Sequence, residues 1–417
     1  MKKIKFVLTV FLLLVIYCYI VFYISIPENI FIMNNEKISL KILPGIELIE
    51  TTMTNNSNFN ESIERVNKVE EKNLIKENIN YSNLEVKLFS RITLKNIKVA
   101  KLDEVKIVPV GKIIGLKLYT NGVLVVGMSE IDDANNDKAK PYENSDIKPG
   151  DIILEIDKKI IEDIDNLKQT VNNSNGKMLE ITILRNGKML NTNIIPVQTE
   201  ESKYQLGLWV KDAATGVGTI TFYEPQSNSF GILGHGITDS DTNNLINIES
   251  GELVTAKVIS LKRGEENVPG EIKGTIINSQ NIGEIIKNTQ FGVFGKLNNL
   301  TALNIDKSKA IEVASRDEIK EGEAKILCSI NSSNVSKEYK IEIERIYKDN
   351  DYNNKSMLIR ITDEELLKQT GGIIRGLSGA PIIQNGKFIG AVTNVLVSNP
   401  ELGYAIFGDM MIREMTE

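Results

Sequence analysis

The chain has 417 residues, of which 41% are hydrophobic and 25% charged, and this length predicts two or more domains. Its formal net charge is −6, and the lack of a basic block beyond the extreme N-terminus excludes a phosphate-binding cationic face, so no nucleic-acid partner is expected. One histidine and two cysteines exclude a zinc site built on several such ligands, so no metal is expected.

The N-terminus, residues 1–26, predicts a transmembrane anchor. Lysines within the first five residues precede an uncharged apolar stretch from Phe6 to Ile24. A helix of this length spans about 28 Å, which matches one hydrocarbon core. Lysines favour the cytoplasmic side of a membrane, and the stretch lacks the small-residue cleavage site of a secretory signal peptide. We therefore expect an uncleaved signal anchor, with the rest of the chain outside the cytoplasm.

Residues 27–104 predict an N-terminal β region that contains a polar linker. Short strand patterns reach about residue 50, and the chain is polar from Thr51 to Asn83. Alternation of apolar and polar residues with a period of two returns from Leu84, as in a half-buried strand. The polar segment suits a linker or a mobile excursion, although its charged part could form a short exposed helix.

Residues 105–198 predict a PDZ-like domain. A buried strand at Gly122–Gly127 is followed by a Pro-Gly turn that leads into a second strand. Ile164, Leu167 and Val171 then fall at helical spacing, and an Asn-Gly turn at 186–187 closes a hairpin. This order of elements resembles PDZ domains of bacterial proteases; an unrelated small β-domain is the alternative.

The PDZ resemblance implies a peptide-binding site. In such domains an extended peptide adds a strand to a sheet edge, and the preceding loop receives its terminal carboxylate. The segment that matches this edge runs from Ile113 to Leu118. The implied contact residues are Gly111, Ile113, Ile114, Gly115 and Leu116.

Residues 199–417 predict an all-β domain. Short strands alternate with glycine turns, and helical runs are few. The pattern is typical of a pair of barrels or a sandwich. The predicted fold class of the whole chain is therefore mainly β.

A glycine-framed serine, Ser378, is the first chemical signal in this domain. Residues 376–381 read Gly-Leu-Ser-Gly-Ala-Pro. Such a tight turn can direct the backbone N–H groups of Gly376 and Ser378 into one concavity, which would stabilise an oxyanion during acyl transfer. The motif resembles the Gly-Asp-Ser-Gly-Gly-Pro signature of chymotrypsin-like serine proteases, with Leu377 in place of the aspartate. A plain turn between two strands is the alternative.

The single histidine, His235, is the second signal, in the sequence Gly-His-Gly-Ile-Thr-Asp at 234–239. An imidazole with a pKa of about 6.5 can take a hydroxyl proton and return it to a leaving amine. The histidine precedes the serine, as in chymotrypsin-like enzymes. We therefore predict Ser378 as the nucleophile and His235 as the general base; a merely packed or surface histidine is the alternative.

The group that orients the histidine stays open on the residues alone. Asp363 lies between His235 and Ser378 in sequence, but Thr-Asp-Glu-Glu at 362–365 also indicates a helix start with a capping box. Asp239 and Asp241, close to the histidine in sequence, are alternatives.

Taken together, the apolar N-terminus, the PDZ-like unit and the two glycine-framed motifs resemble the SpoIVB peptidase family of endospore-forming bacteria. The similarity covers nearly the whole chain and is weakest from Thr51 to Asn83. It implies a chymotrypsin-like double β-barrel without a cofactor, with Asp363 as the third catalytic residue. It also implies secretion into the space between forespore and mother cell, self-cleavage, and cleavage of a membrane-bound regulator of sigma-factor processing.

These observations predict a membrane-anchored serine endopeptidase whose PDZ-like domain holds a peptide tail from its own chain or from a partner. Self-cleavage is expected in the polar segment between the anchor and the PDZ-like domain. A catalytically inactive peptide-binding adaptor of the envelope is the main alternative, and a structural envelope protein is another.

Overall fold

A computed structural model of the chain describes residues 29–33, 46–52, 79–89, 91–102, 104–185, 187–240, 242–347 and 354–416, and single residues 6, 10, 17, 20, 21, 23, 24 and 26. The chain divides into two compact units, Met1–Val105 and Lys106–Met415. Most of the predicted anchor, residues 1–26, lies outside the described residues. Within the described ones, no helix combines the length and apolar character needed to cross a membrane.

The first unit contains a small sheet. Its strands are β1 Asn29–Met33, β2 Ile46–Thr52, β3 Ile79–Leu88 and β4 Ile92–Leu102. They lie in the order β1–β4–β3–β2. Leu84 and Val86 of β3 are buried with Ile97 and Val99 of β4, so the alternation that starts at Leu84 belongs to a strand with one buried face. Residues 53–78, in which most of the polar linker is predicted, lie outside the described part of the chain.

The second unit consists of strands and short helices. Its strands up to residue 205 are β5 Lys106–Met128, β6 Ile131–Asp132, β7 Lys138–Ala139, β8 Ile152–Ile156, β9 Lys159–Ile160, β10 Leu179–Arg185, β11 Lys188–Ile194, β12 Val197–Gln198 and β13 Tyr204–Gln205. They are followed by β14 Leu208–Glu224, β15 Ser229–Ile232, β16 Ile248–Lys262, β17 Glu271–Thr289 and β18 Gly292–Leu297. The last strands are β19 Ile311–Glu312, β20 Gly322–Cys328, β21 Lys337–Ile346, β22 Met357–Ile361, β23 Pro381–Gln384, β24 Lys387–Val395 and β25 Leu402–Phe407. The α-helices are α1 Ile164–Asn173, α2 Glu364–Thr370 and α3 Gly408–Thr416.

Six strands of this unit close into a first barrel. They follow one another in the order β5–β14–β15–β18–β17–β16, and β16 pairs back onto β5. Apolar side chains from all six strands fill its interior, among them Leu116, Ile220, Phe230, Leu253, Ile285 and Val293. Closure pairs the strand edges, and burial of these side chains is the main favourable contribution to the barrel's stability.

Another six strands form a second barrel. Their order is β20–β21–β22–β25–β24–β23, and the barrel is closed. The two barrels touch through Phe222 of β14 and Phe388 of β24, whose rings meet edge to face with centroids 5.5 Å apart. A backbone bridge between Glu271 and Arg375 joins them at a second point. The structure therefore has the two-barrel form that the family resemblance implies.

The PDZ-like domain is an insertion in the first hairpin of the first barrel. Val123–Met128, the end of β5, continues the same sheet beyond the barrel, in the order β11–β10–β8–β5 followed by the start of β14. Helix α1 packs on this sheet through Leu167 and Val171, and Asp163 caps its N-terminus by accepting from Asn166 N at 2.7 Å. The helix thus lies where the apolar spacing predicts it.

The boundary of this domain differs from the sequence-based one. From the sequence, all of Lys106–Met128 is placed in the PDZ-like domain, residues 105–198. In the structure, residues up to Thr120 pair with β14 and β16 and belong to the first barrel. The physical reason is that an apolar pattern reveals a strand but not the sheet that the strand joins.

Candidate active site

The serine and histidine motifs lie on different barrels and meet at the barrel junction. β15 of the first barrel ends three residues before His235, and Ser378 lies in the turn that precedes β23 of the second. A Cβ atom on Gly379 would lie 2.4 Å from Thr219 O and 2.6 Å from Leu233 N. Only glycine permits this approach, and its φ of +94° also suits glycine alone. The serine turn therefore packs directly against the segment that leads into the histidine.

A strained turn fixes the start of the histidine loop. Leu233 has φ +70°, and Gly234 N donates to Ile232 O at 2.9 Å, which is the hydrogen bond of a γ-turn. A side chain in this conformation costs free energy, so surrounding contacts must hold it there. The Leu233 side chain supplies such contacts because it is buried in the first barrel. The backbone just before His235 is thus held in one conformation.

The imidazole of His235 is prepared to accept a proton at Nε2. Its Nδ1 lies 2.9 Å from the Gly236 carbonyl oxygen, and a carbonyl can only accept, so Nδ1 carries the proton. Within the described part of the chain, Nε2 has no hydrogen-bond partner. Burial lowers the pKa of the His235 imidazole, and the Gly236 carbonyl partly opposes this shift. The neutral form with a free Nε2 lone pair therefore predominates near pH 7.

The loop after the histidine is held by Asn288, a residue that sequence reasoning misses. Its Oδ1 accepts from Ile237 N at 2.9 Å, and its Nδ2 donates to the carbonyl oxygens of Ile237 and Ile246 at 2.9 and 2.8 Å. Removing the Asn288 side chain would leave Ile237 N and Ile246 O without this partner, whereas Ile237 O would keep its bond from Ile246 N at 3.0 Å. No motif surrounds Asn288, so the sequence gives no signal for this role.

The hydroxyl of Ser378 is held by a backbone carbonyl in this structure. Oγ donates to Thr393 O at 2.6 Å, and among the described hydrogen bonds none joins Ser378 to His235. The histidine loop is nevertheless adjacent, because a Cβ on Gly234 would lie 3.1 Å from Thr393 Cγ2. Rotation about the serine Cα–Cβ bond is the change that would release Oγ from the carbonyl.

The serine turn presents two free N–H donors. Arg375 O accepts from Ile272 N at 2.8 Å, and Leu377 O accepts from Ala380 N at 2.9 Å. In a trans peptide the N–H points away from the C=O, so these bonds orient the N–H groups of Gly376 and Ser378. Neither N–H has a hydrogen-bond partner among the described residues. Two such donors beside a hydroxyl and a neutral imidazole suit general-base-assisted acyl transfer.

Asp363 lies at the start of α2. Its Oδ1 accepts from Glu365 N and Leu366 N at 3.1 Å, and its Oδ2 accepts from Lys340 N at 3.3 Å. The helix start predicted at 362–365 is present, but Asp363 rather than Thr362 is its N-cap. No described hydrogen bond joins Asp363 to His235, and a third-member role for Asp363 stays a prediction.

Asp239, one of the other two carboxylates near the histidine in sequence, has partners other than the imidazole. Asp239 is buried, accepts from Thr242 N at 3.0 Å, and pairs with Lys211 Nζ at 3.3 Å. Asp241 lies outside the described residues. His235 Nδ1 meets the Gly236 carbonyl rather than the carboxylate of Asp239.

The strand predicted to bind peptide is not free in the structure. Ile114–Leu118 pairs with β14 on one edge and with β16 on the other. Ile113, Ile114 and Leu116 are buried, and Gly111 approaches the Leu327 carbonyl so closely that a Cβ would lie 2.2 Å from its oxygen. Gly115, too, would place a Cβ 2.7 Å from two side chains of the barrel. The structure thus differs from the expectation, because barrel strands already occupy both edges of the segment.

A groove with a free strand edge lies elsewhere in the PDZ-like domain. The first residues of β14, Leu208–Val210, pair with β5 along one edge, and no described strand pairs with their other edge. Their other edge borders a cavity of about 580 Å³ opposite α1. Apolar side chains line both walls of this groove: Ile164, Leu167 and Val171 from the helix, and Leu206, Leu208 and Val210 from the strand side. The sequence Leu-Gly-Leu at 206–208 could have drawn attention to this segment.

Two family models match the chain. Residues 202–412, slightly more than half of the chain, match the sequence model of SpoIVB peptidase S55. Residues 114–195 match that of a PDZ domain. Among solved structures, the PDZ domain of the SdrC-like protein from Listeria monocytogenes is similar at 17% identity and a TM-score of 0.18, covering 22% of this chain and 90% of that one.

The burial of His235 predicts a titration midpoint below pH 6.5. Because His235 is the only histidine, its imidazole resonances in a histidine-labelled NMR spectrum need no further assignment. The urea-unfolded chain is the control and should titrate at about 6.5. The folded state binds a proton at His235 less readily than the unfolded chain does. The stability that the protein gains from keeping this imidazole neutral is therefore present above about pH 6.5 and is lost as pH falls from about 6.5 through the folded pKa. A folded midpoint at or above 6.5 would contradict the buried environment.

Proposed function

Because the chain belongs to the SpoIVB peptidase S55 family, we propose that it is a membrane-anchored serine endopeptidase with Ser378 as the nucleophile and His235 as the general base. The observation that carries the proposal is the set of chemical groups at the junction of the two barrels. A neutral imidazole with a free Nε2 and a serine turn with two free N–H donors come together there.

The reaction starts when Ser378 Oγ leaves the Thr393 carbonyl and turns to Nε2 of His235. The imidazole takes the hydroxyl proton as Oγ attacks the scissile carbonyl carbon of the substrate. The carbonyl oxygen becomes an oxyanion and accepts from the N–H groups of Gly376 and Ser378. The imidazolium then gives its proton to the leaving amine, and water hydrolyses the acyl-enzyme by the same steps in reverse.

The Gly236 carbonyl has a defined part in this cycle. It accepts from Nδ1–H and thereby keeps the tautomer whose Nε2 can act as a base. It also favours the imidazolium that forms during attack, since a hydrogen bond from a charged donor is stronger than one from a neutral donor. In trypsin-like enzymes an aspartate carboxylate performs this function.

Labelling with a fluorophosphonate probe tests the activated serine. We expect labelling of the wild-type protein to fall more than about 100-fold in Ser378→Ala and in His235→Ala, because the nucleophile and its base act as a unit. Ser308→Ala, at an exposed serine far along the chain from the motif, is the matched control and should label normally. An unlabelled wild-type protein would favour the peptide-binding adaptor.

The family resemblance implies Asp363 as the third catalytic residue, whereas its described hydrogen bonds are those of the N-cap of α2, and two substitutions separate these roles. An asparagine retains the capping oxygen, whereas an alanine does not. We therefore expect Asp363→Asn to keep most of the labelling rate, and Asp363→Ala to lose about 1 kcal/mol of stability in thermal unfolding. If Asp363→Asn instead lowered the labelling rate about 10⁴-fold without changing the stability, Asp363 would be identified as the third catalytic residue.

The groove beside α1 is proposed to bind an extended peptide, from a tail of the same chain or from a protein partner. The peptide would pair with the outer edge of Leu208–Val210 and insert alternate apolar side chains into the cavity. Lys168 and Lys203, which also line the groove, would attract a terminal carboxylate or an acidic side chain.

The single tryptophan, Trp209, lines this groove and is 63% exposed, so its fluorescence can report peptide binding. Peptides selected from a random library on the wild-type protein should shift its emission. Ile164→Asp should weaken their binding about tenfold or more, since it places a charge in an apolar wall. Met189→Asp, at a position 72% exposed on β11, is the control. Equal binding by both variants would exclude this groove.

The cellular setting is proposed from the family resemblance. The anchor at residues 1–26 would hold the catalytic unit in the space between forespore and mother cell. The substrates would be the chain itself, at the polar segment Thr51–Asn83, and a membrane-bound regulator of sigma-factor processing. Retention of the full-length form by Ser378→Ala, beside shortening of the wild-type chain in sporulating cells, would support self-cleavage. A wild-type chain that stays full-length while active would contradict it.

A further inference from the structure

A buried threonine, Thr219, contacts both catalytic turns. It lies on β14 and is 1% exposed. Its Oγ1 donates to the carbonyl oxygen of Gly376, in the serine turn, at 2.7 Å. Its own carbonyl oxygen accepts from Leu233 N, two residues before His235, at 3.3 Å. One residue of the first barrel therefore has hydrogen bonds to both motifs.

The peptide group that Thr219 holds lies between the two free donors of the serine turn. The Gly376 carbonyl belongs to the peptide that links Gly376 to Leu377, whereas the donors are the N–H groups of Gly376 and Ser378. The same peptide donates through Leu377 N to Ile374 O at 3.1 Å. Both of its polar ends are thus hydrogen-bonded, and its plane is fixed. Since glycine at φ +99° has no side chain to restrict it, these bonds define the turn.

We propose that Thr219 is a positioning residue that keeps the N–H groups of Gly376 and Ser378 convergent on the oxyanion. The proposal rests on the proposed peptidase function. Without the Thr219 hydroxyl, the partly buried Gly376 carbonyl loses its partner, and the peptide between the donors can rotate toward another one. Donors that no longer point to one place stabilise the transition state less, while the remaining contacts of the substrate are unchanged.

The same strand offers a matched control. Thr221 is also fully buried, and its Oγ1 has no hydrogen-bond partner among the described residues. Threonine to valine preserves the β-branched shape and replaces only the hydroxyl by a methyl group. Thr219→Val and Thr221→Val therefore make the same chemical change two positions apart, and only the first removes a bond to the serine turn.

The test compares these variants as full-length proteins with a fluorophosphonate probe, whose phosphoryl oxygen enters the same site as a substrate oxyanion. The dependence of the labelling rate on probe concentration separates the maximal rate from the half-saturating concentration. We expect Thr219→Val to lower the maximal rate about 10- to 100-fold with little change in the half-saturating concentration. Thr219→Ser should restore most of the rate, and Thr221→Val should label like the wild type.

Several outcomes would overturn the proposal. Labelling of Thr219→Val at the wild-type rate would show that the hydroxyl does not position the donors. An equal loss in Thr221→Val would show a general effect of altering β14. If thermal unfolding shows that Thr219→Val is not folded, the labelling rates of Thr219→Ser and Thr219→Ala provide the same comparison, since only the serine keeps the hydroxyl. An unlabelled wild-type protein would refute the peptidase function itself, which is a separate result.

Discussion

The two barrels are in direct main-chain contact where Gly379 packs on the backbone of the first barrel. At this point a single Cβ atom would overlap with Thr219 O and Leu233 N. Backbone atoms in contact leave little room for one turn to move relative to the other, since both are attached to closed sheets. The relation between Ser378 and His235 is therefore set by main-chain packing, and the side chains that carry the chemistry need only adopt the correct rotamers.

The N–H donors of the site are already oriented for the reaction, whereas the serine hydroxyl is not. The donors are backbone N–H groups on peptides whose carbonyls are already hydrogen-bonded, so no reorganisation is needed when charge develops. The serine hydroxyl, by contrast, is bonded to the Thr393 carbonyl and must rotate. Breaking one hydrogen bond and forming another costs little net free energy. A substrate that displaces the hydroxyl from this carbonyl would thus complete the site by a small local change.

Local signals in the sequence predict the tight turns and the helix better than they predict how the strands pair. Glycines around His235 and Ser378 mark tight turns, and helical spacing marks α1, because these features depend on nearby residues. Strand pairing depends on distant residues, so the sequence alone places the first part of β5 in the PDZ-like domain rather than in the barrel, and the peptide edge on a strand that is already paired. Thr219 and Asn288 act through main-chain carbonyls and amides across the fold, and no sequence pattern marks such contacts.

The insertion of the PDZ-like domain has a consequence for the history of this chain. Tyr119 and Ala213, where the barrel part of the hairpin ends, are paired neighbours on β5 and β14. The two connections between the inserted domain and the barrel are therefore adjacent, and a tight turn could replace the inserted domain without disturbing any barrel strand. Such a junction allows one module to be exchanged for another during evolution, so a peptidase of this architecture can acquire a new recognition domain while its catalytic barrels stay the same.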